Sequence, residues 1–187
     1  MNTQPSGMKD KPDKDPVAAT GACDIYQLNK ETATCYIDSI VQLVNYIPMK
    51  EYTREEVLSE SSPERQFFGK WLHSLMAFDT GKPVGVLIAY ERKAESHPSY
   101  RENSLYISEL AVDKQYRRKG IARGLLKAFF QHSSRFVYLE GSPVYTIQTN
   151  SAEWNEPVQN LYKSFGYEPV GTKKYENRTD VIMKKRF

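Results

Sequence analysis

Four basic residues, Arg117, Arg118, Lys119 and Arg123, surround Gly120 within AVDKQYRRKGIARGLLKAFF, Ala111 to Phe130. They fall where an apolar strand pattern gives way to an amphipathic helix pattern. The first N–H groups of a helix have no intrahelical partner, and the helix dipole adds partial positive charge there. A strand, a short basic turn, a glycine and a helix therefore form the layout of an anion site, with pyrophosphate as the natural guest. Gly120 carries no side chain, so a phosphate can approach the backbone closely. The alternative is a solvated basic turn with no ligand. Neither the P-loop pattern nor the dinucleotide fingerprint G-x-G-x-x-G is present, so the surrounding elements must decide.

Those elements read as follows. Asp24–Asn29 is a short strand, and KETATCYIDSIVQLVNYI has helical spacing closed by Pro48. TREEVLSE predicts a helix with Thr53 as N-cap and Glu56 completing a capping box. SPERQFFGKWLHS predicts another, with Pro63 at its first position. Two strand-type runs flank Asp79-Thr80-Gly81-Lys82, a hairpin signal. Ser104–Asp113 is a strong strand, and Gly120–His132 a helix whose Ile121, Leu125, Ala128, Phe129 and His132 share an inward stripe. A strand at Val144–Asn150, a helix near EPVQNLYKSF closed by Gly166, and the strands YEPVGTKKY and TDVIMKK complete the chain. This order predicts an α/β sandwich around one mixed sheet.

Composition sets limits. The 187 residues suit one domain, and 26 Lys plus Arg against 23 Asp plus Glu give a net charge of +3. That balance is too mild for wholesale nucleic-acid binding. Residues 1–22, rich in Pro, Lys and Asp, predict a disordered leader, which leaves 23–187 as a single domain. No run is long and apolar enough to span a bilayer, and the N-terminus lacks the apolar middle of a secretory signal. Cys23 and Cys35 read as two reduced thiols, so a cytoplasmic protein is expected. No His/Cys cluster suggests a metal site.

The segment LAVDKQYRRKGIARGLL resembles the GCN5-related N-acetyltransferases (GNAT family). Leu110-Ala111-Val112 matches the family's strand end, and Arg117-Arg118-Lys119-Gly120-Ile121-Ala122 matches its signature [QR]-x-x-G-x-[GA]. Further on, NEPVQNLYKSFGYEPVG supplies Asn155, Leu161, Tyr162, Gly166 and Tyr167 of the second motif, in the family's order. The resemblance runs from about Asp24 to Arg186. It implies a mixed, largely antiparallel twisted sheet with helices on both faces, and an enzyme that transfers acetyl from acetyl-CoA to an amine by direct attack in a ternary complex, without a metal.

Site residues follow from the same resemblance. Backbone N–H groups between Arg117 and Arg123 would take the pyrophosphate, with Arg118, Lys119 or Arg123 near the 3′-phosphate. The main chain of Leu110, Ala111 and Val112 would pair with the pantetheine arm as an added strand does. Asn155 would hydrogen-bond that arm, or cap its helix, or both. Tyr162 would protonate the leaving thiolate, since an ordinary tyrosine is protonated at neutral pH; the competing reading is a core aromatic. Glu109, a carboxylate inside the apolar run ISELAV, is the candidate base, its pKa raised by burial. Otherwise it is a strand-end glutamate in a salt bridge or at an edge. An N–H near Val112 would meet the oxyanion. His73, His97 and His132 are given no role.

The acceptor is expected between the first helices and the loop before the central strand. There Glu51, Glu55, Glu56, Glu60 and Glu64 either attract a cationic amine or form an exposed helical face. Tyr46, Tyr52 and Tyr100 are expected to line a pocket. A small-molecule amine is the first expectation; a protein lysine or N-terminus is the second, and a non-catalytic acyl-CoA-binding module the third. No nucleic-acid or membrane partner is expected, and the chain is read as a monomer or homodimer.

Overall fold

Alternating and continuous apolar runs assemble into one eight-stranded sheet in the computed structural model, which describes Pro12 and residues 15–21, 23–46, 51–133, 138–139, 142–143 and 146–186. The chain runs through β1 (Ala18–Thr20), β2 (Cys23–Gln27), α1 (Lys30–Cys35), α2 (Ile37–Val44) and α3 (Arg54–Leu58). The small hairpin β3 (Ser61–Ser62) and β4 (Arg65–Gln66) follows, then α4 (Lys70–His73), β5 (Leu75–Asp79), β6 (Lys82–Arg92) and β7 (Ser104–Val112). Next come α5 (Ile121–Ser133), β8 (Tyr138–Leu139), β9 (Ser142–Pro143), β10 (Thr146–Ala152), α6 (Glu156–Lys163), β11 (Glu168–Lys174) and β12 (Thr179–Arg186). The sheet order is β1-β2-β5-β6-β7-β10-β12-β11. Every pairing in it is antiparallel except β7 with β10.

The central strands are apolar on both faces because both faces are covered. One face buries Ile40, Leu43 and Val44 of α2 and Val57 of α3 against Tyr26, Met76, Phe78, Val86 and Ile88. The other buries the α5 stripe Ile121, Leu125, Ala128 and Phe129, with Tyr162 of α6, against Leu75, Leu87, Ile107 and Met183. The inward stripe expected for α5 is present, and His132 ends it with Nε2 2.9 Å from the Leu72 carbonyl oxygen. The capping box is present too: Thr53 accepts from the Glu56 N–H while the Glu56 carboxylate accepts from the Thr53 N–H.

Four expectations change. Ala18–Thr20, assigned to the leader, pairs with β2 as an edge strand, and a Cβ on Gly124 would run into the Thr20 methyl. Most of the remaining leader lies outside the described residues. The helix expected from Lys30 onward is two helices broken at Tyr36 (φ −105°, ψ 19°). Thr34 there turns its hydroxyl back to the Lys30 carbonyl, 2.7 Å away, a local competition that bends helices. Pro63 opens no helix. It lies in the turn that joins β3 to β4, because its fixed φ serves a turn as well as a first helical position. The strand expected from Val144 runs Thr146–Ala152, with residues 144–145 outside the described set.

Candidate active site

Parallel pairing of β7 with β10 begins at Ser104↔Thr146 and stops at Ile107↔Thr149. Beyond that point β10 pairs only with β12, through Ala152↔Asp180, while β7 stays with β6 as far as Val112↔Gly85. The register of β6 and β7 shifts at Ser108, a one-residue bulge of the kind that bends a strand away from its neighbour. The result is a gap in the sheet beside Ser108–Val112.

Backbone polarity in the gap follows from the antiparallel alternation. The Asp113 N–H donates to the Val84 carbonyl at 2.9 Å, so Asp113 and Ala111 direct their backbone groups toward β6. Leu110 and Val112 direct theirs into the gap. Of the three positions expected to meet pantetheine, these two have the required orientation. Ala111 instead contributes its buried side chain to the helix-covered face.

At the end of the gap the chain turns through Lys114–Tyr116, a short 3-10 segment capped by the Asp113 carboxylate on the Gln115 N–H at 2.9 Å. Arg118 has φ 65° and Gly120 φ 83°. A left-handed arginine is a strained conformation that persists mainly at functional positions. Gly120 adopts it freely, and the space where its Cβ would stand is open. The Gly120 carbonyl accepts from the Gly124 N–H at 2.9 Å, which leaves the N–H groups at the start of α5 facing outward from the turn. Arg117, Arg118, Lys119, Gly120 and Arg123 are all exposed, while Ile121 is buried and Ala122 half-buried. Arg117 is partly engaged, since its Nε donates to the Val112 carbonyl at 3.2 Å. Lys119 lies over the Tyr116 ring at 4.6 Å and Arg123 over Phe165 at 5.6 Å. This end of the gap can hold a multiply charged anion.

Across the gap, Asn155 occupies the N-cap of α6 without making a side-chain cap bond, so its amide is available to a ligand. Tyr162, the penultimate residue of α6, is 3% exposed with its ring 5.1 Å from that of Tyr167. Burial pushes its pKa up to about 12; the Thr149 hydroxyl offsets part of that rise and the Glu109 charge adds to it. The phenol is thus a proton donor throughout the neutral range.

On the opposite face of the sheet, Glu109 lines a cleft of about 920 Å³ together with Tyr52, Glu55, Glu56, Lys70, Ile88 and Tyr90, among others. The Tyr52 hydroxyl donates to Glu109 Oε1 at 2.7 Å, so a neutral donor holds the carboxylate in the cleft. Burial first, and then the Glu109 charge, hold the Tyr52 pKa above the ordinary tyrosine range. Tyr52 therefore stays a donor.

Of the other expected acceptor residues, Glu55 and Glu56 line the cleft, whereas Glu60 pairs with Lys30 at 3.5 Å and Glu64 with Arg65 at 3.2 Å. Glu51 is exposed, outside the cleft. Tyr46 lies under Lys114 at 5.2 Å and Tyr100 under Arg92 at 5.1 Å rather than on the cleft wall. Lys70 was not anticipated. It is buried, with Nζ donating to the Val57 and Ser59 carbonyls at 2.6 and 2.7 Å, and burial lowers its pKa to about 8. It ties α3 and the loop after it into a wall. A lone lysine in the aromatic run FFGKWLH was the available sign. The histidines have structural partners, His73 with Glu91 at 3.0 Å and His97 with Ser99 at 2.7 Å. Cys23, buried, and Cys35, exposed, are not joined in a disulfide. Among the described residues no group of three or more His, Cys, Asp or Glu is arranged to hold a metal, and no helix is long and apolar enough to cross a membrane.

Comparison with known proteins agrees with this fold. The model of the acetyltransferase (GNAT) family matches residues 40–167. No curated protein matches the chain in sequence. Among solved structures, Ard1 from Thermoplasma volcanium superposes with a TM-score of 0.68 at 16% identity, covering 88% of this chain and 97% of that one. The NatC complex bound to Gag peptide and CoA gives 0.70 at 18% identity, covering 89% and 99%. Arabidopsis thaliana Naa50 with the bisubstrate analogue CoA-Ac-MVNAL gives 0.65 at 18% identity, again covering 89% and 99%. The sheet, largely antiparallel and covered by helices on both faces, is the fold these proteins share. The chain belongs to the acetyltransferase (GNAT) family and is an acetyl-CoA-dependent acetyltransferase.

Proposed function

We propose that the protein transfers the acetyl group of acetyl-CoA to a primary amine of a small molecule by direct attack in a ternary complex. The observation that carries the proposal is the gap between β7 and β10, with the protonated Tyr162 on one side and the Tyr52-bound Glu109 on the other.

In this reading the pyrophosphate lies against the turn from Arg117 to Arg123, and Leu110 and Val112 pair with the pantetheine arm as a neighbouring strand would. Asn155 donates to that arm from across the gap. Arg118, Lys119 and Arg123 supply charge for the remaining phosphate. The amine enters from the cleft as an ammonium ion and gives one proton to Glu109, directly or through water. Its lone pair attacks the thioester carbonyl carbon, and the Val112 N–H meets the oxygen as negative charge develops. Collapse breaks the C–S bond, and the departing sulfur takes the Tyr162 proton. The nitrogen loses its second proton to solvent, Tyr162 is reprotonated, and amide and free CoA leave.

Transfer to a peptide N-terminus is the second reading. It is favoured by the fold shared with the NatC complex bound to Gag peptide and with Naa50 bound to a peptide-bearing analogue. A non-catalytic acyl-CoA-binding role would give Tyr162 and Glu109 nothing to do. Thiol release from acetyl-CoA, measured with polyamines, aminoglycosides, amino acids and short peptides, separates these readings. Release dependent on a small amine is expected. Release with peptides alone transfers the proposal to the second reading, and binding of acetyl-CoA with no release from any class removes both.

A further inference from the structure

The cleft carries a second chemistry beyond Glu109. Ile88, Tyr90 and Arg92 of β6 alternate onto its wall. Across the ladder Ile88 faces Glu109, Tyr90 faces Tyr106 and Arg92 faces Ser104. The Arg92 side chain leans back toward the reaction end. Its guanidinium carbon is 3.2 Å from the centroid of the Tyr106 ring, 5.1 Å from that of Tyr100 and 5.9 Å from that of Tyr90.

Aromatic rings occupy the faces of a guanidinium and leave its in-plane N–H fork unused, and that fork fits a carboxylate or phosphate bidentately. Among the described residues no carboxylate is within ion-pair distance of Arg92, and its Nε is buried with no hydrogen-bond partner. The Tyr90 hydroxyl is a hydrogen-bond partner of the guanidinium, but a half-buried cation with no acid beside it and a buried N–H unpaired is unfavourable unless something else supplies them. By contrast, Arg178 on the same wall is paired with Asp180 at 2.9 Å. Lys173 adds a further positive charge to that wall.

We propose that Arg92, held flat by Tyr106, recognises an acidic group on the acceptor, so that the substrate class is a small molecule with a primary amine at one end and a carboxylate or phosphate at the other. The amine end rests on the acetyl-transfer reading above; the acidic end rests on the cleft alone. The Tyr90–Tyr106 level lies two to three residues from the Ile88–Glu109 level. At about 3.3 Å per residue this sets the two ends roughly 7–10 Å apart, the length of an extended amino acid with its amine at the far end of the carbon chain.

The test compares aminohexanoate with hexylamine, and aminopentyl phosphate with pentylamine, by thiol release and by calorimetric binding to the enzyme–CoA complex. The acidic acceptors are expected to show kcat/KM roughly 10- to 100-fold above their plain amines, the range of a charged hydrogen-bonded pair. The preferred acid tells carboxylate from phosphate. Arg92→Gln should collapse the ratio through KM, and Arg92→Lys should keep part of it. Hexanoate, which has the acidic group without the amine, should inhibit the unaltered enzyme competitively against the acceptor, a readout that needs no variant. A wild-type ratio near one, a ratio untouched by Arg92→Gln, or no inhibition by hexanoate overturns the proposal. Arg92-dependent binding without thiol release would leave the acidic subsite standing and remove the transfer reading; release from plain amines with no acidic preference would do the reverse.

Discussion

Tyr162→Phe removes one hydroxyl and keeps the ring that packs against Tyr167. Burial holds the phenol pKa at about 12, so a proton is available to the leaving sulfur at any working pH. General acid catalysis contributes roughly 100- to 10,000-fold, and kcat should therefore fall at least about 100-fold. Acetyl-CoA affinity should hardly change, because the phosphate turn and Leu110 and Val112 are untouched. Stability carries a second signature. The folded pKa, about 12, lies above the unfolded value, about 10. The stability linked to Tyr162 is thus fully present below about pH 10 and is lost as pH rises toward 12, on the order of 3 kcal/mol at about 1.4 kcal/mol per pH unit. The Phe variant should lack that share of the alkaline loss. Initial-rate thiol release, calorimetry with acetyl-CoA and denaturant titrations in the neutral and alkaline ranges read all three quantities. A kcat within about twofold of wild type would refute the role of Tyr162 as acid, and an unchanged alkaline stability profile would refute its raised pKa.

Glu109→Gln should lower kcat/KM by about 100-fold and remove the acidic limb of its pH profile; an unaltered limb excludes Glu109 as the base. Gly120→Asp places a β-carbon at φ 83°, a strain of roughly 1–3 kcal/mol, and adds negative charge beside the phosphates, so CoA affinity should drop at least about 100-fold by calorimetry. Unchanged affinity would separate the turn from the phosphates. Deleting residues 1–21 removes β1 and its pairing with β2, and should cost roughly 1–3 kcal/mol in a thermal or denaturant melt. No change would mean that this strand contributes nothing to the fold.

Local signals were readable in the sequence. The Thr53–Glu56 capping box, the hairpin at Asp79–Lys82 and the α5 stripe depend on neighbours within one or two turns, and they appear where expected. Pro63 was ambiguous because one fixed dihedral suits two structures, and β1 was invisible because three small residues on an edge carry almost no pattern. In the site, the basic turn marked Gly120 and the family resemblance marked Asn155 and Tyr162, but no spacing reveals where two strands part company. That depends on the bulge at Ser108 and on a register between β7 and β10 set far along the chain. The Tyr52–Glu109 bond joins residues 57 apart. The Arg92–Tyr106 stack joins neighbouring strands through a connection of irregular length. Contacts of this kind are written in the fold and not in any window of sequence.

The central claim is a direct transfer in which acetyl-CoA and amine occupy the gap and the cleft together. Initial velocities of thiol release, with both substrates varied, test it most directly. Intersecting lines, with no release in the absence of amine and no acetyl group left on the protein, are the predicted result. Parallel lines, or protein acetylated by acetyl-CoA before any amine is added, would contradict it.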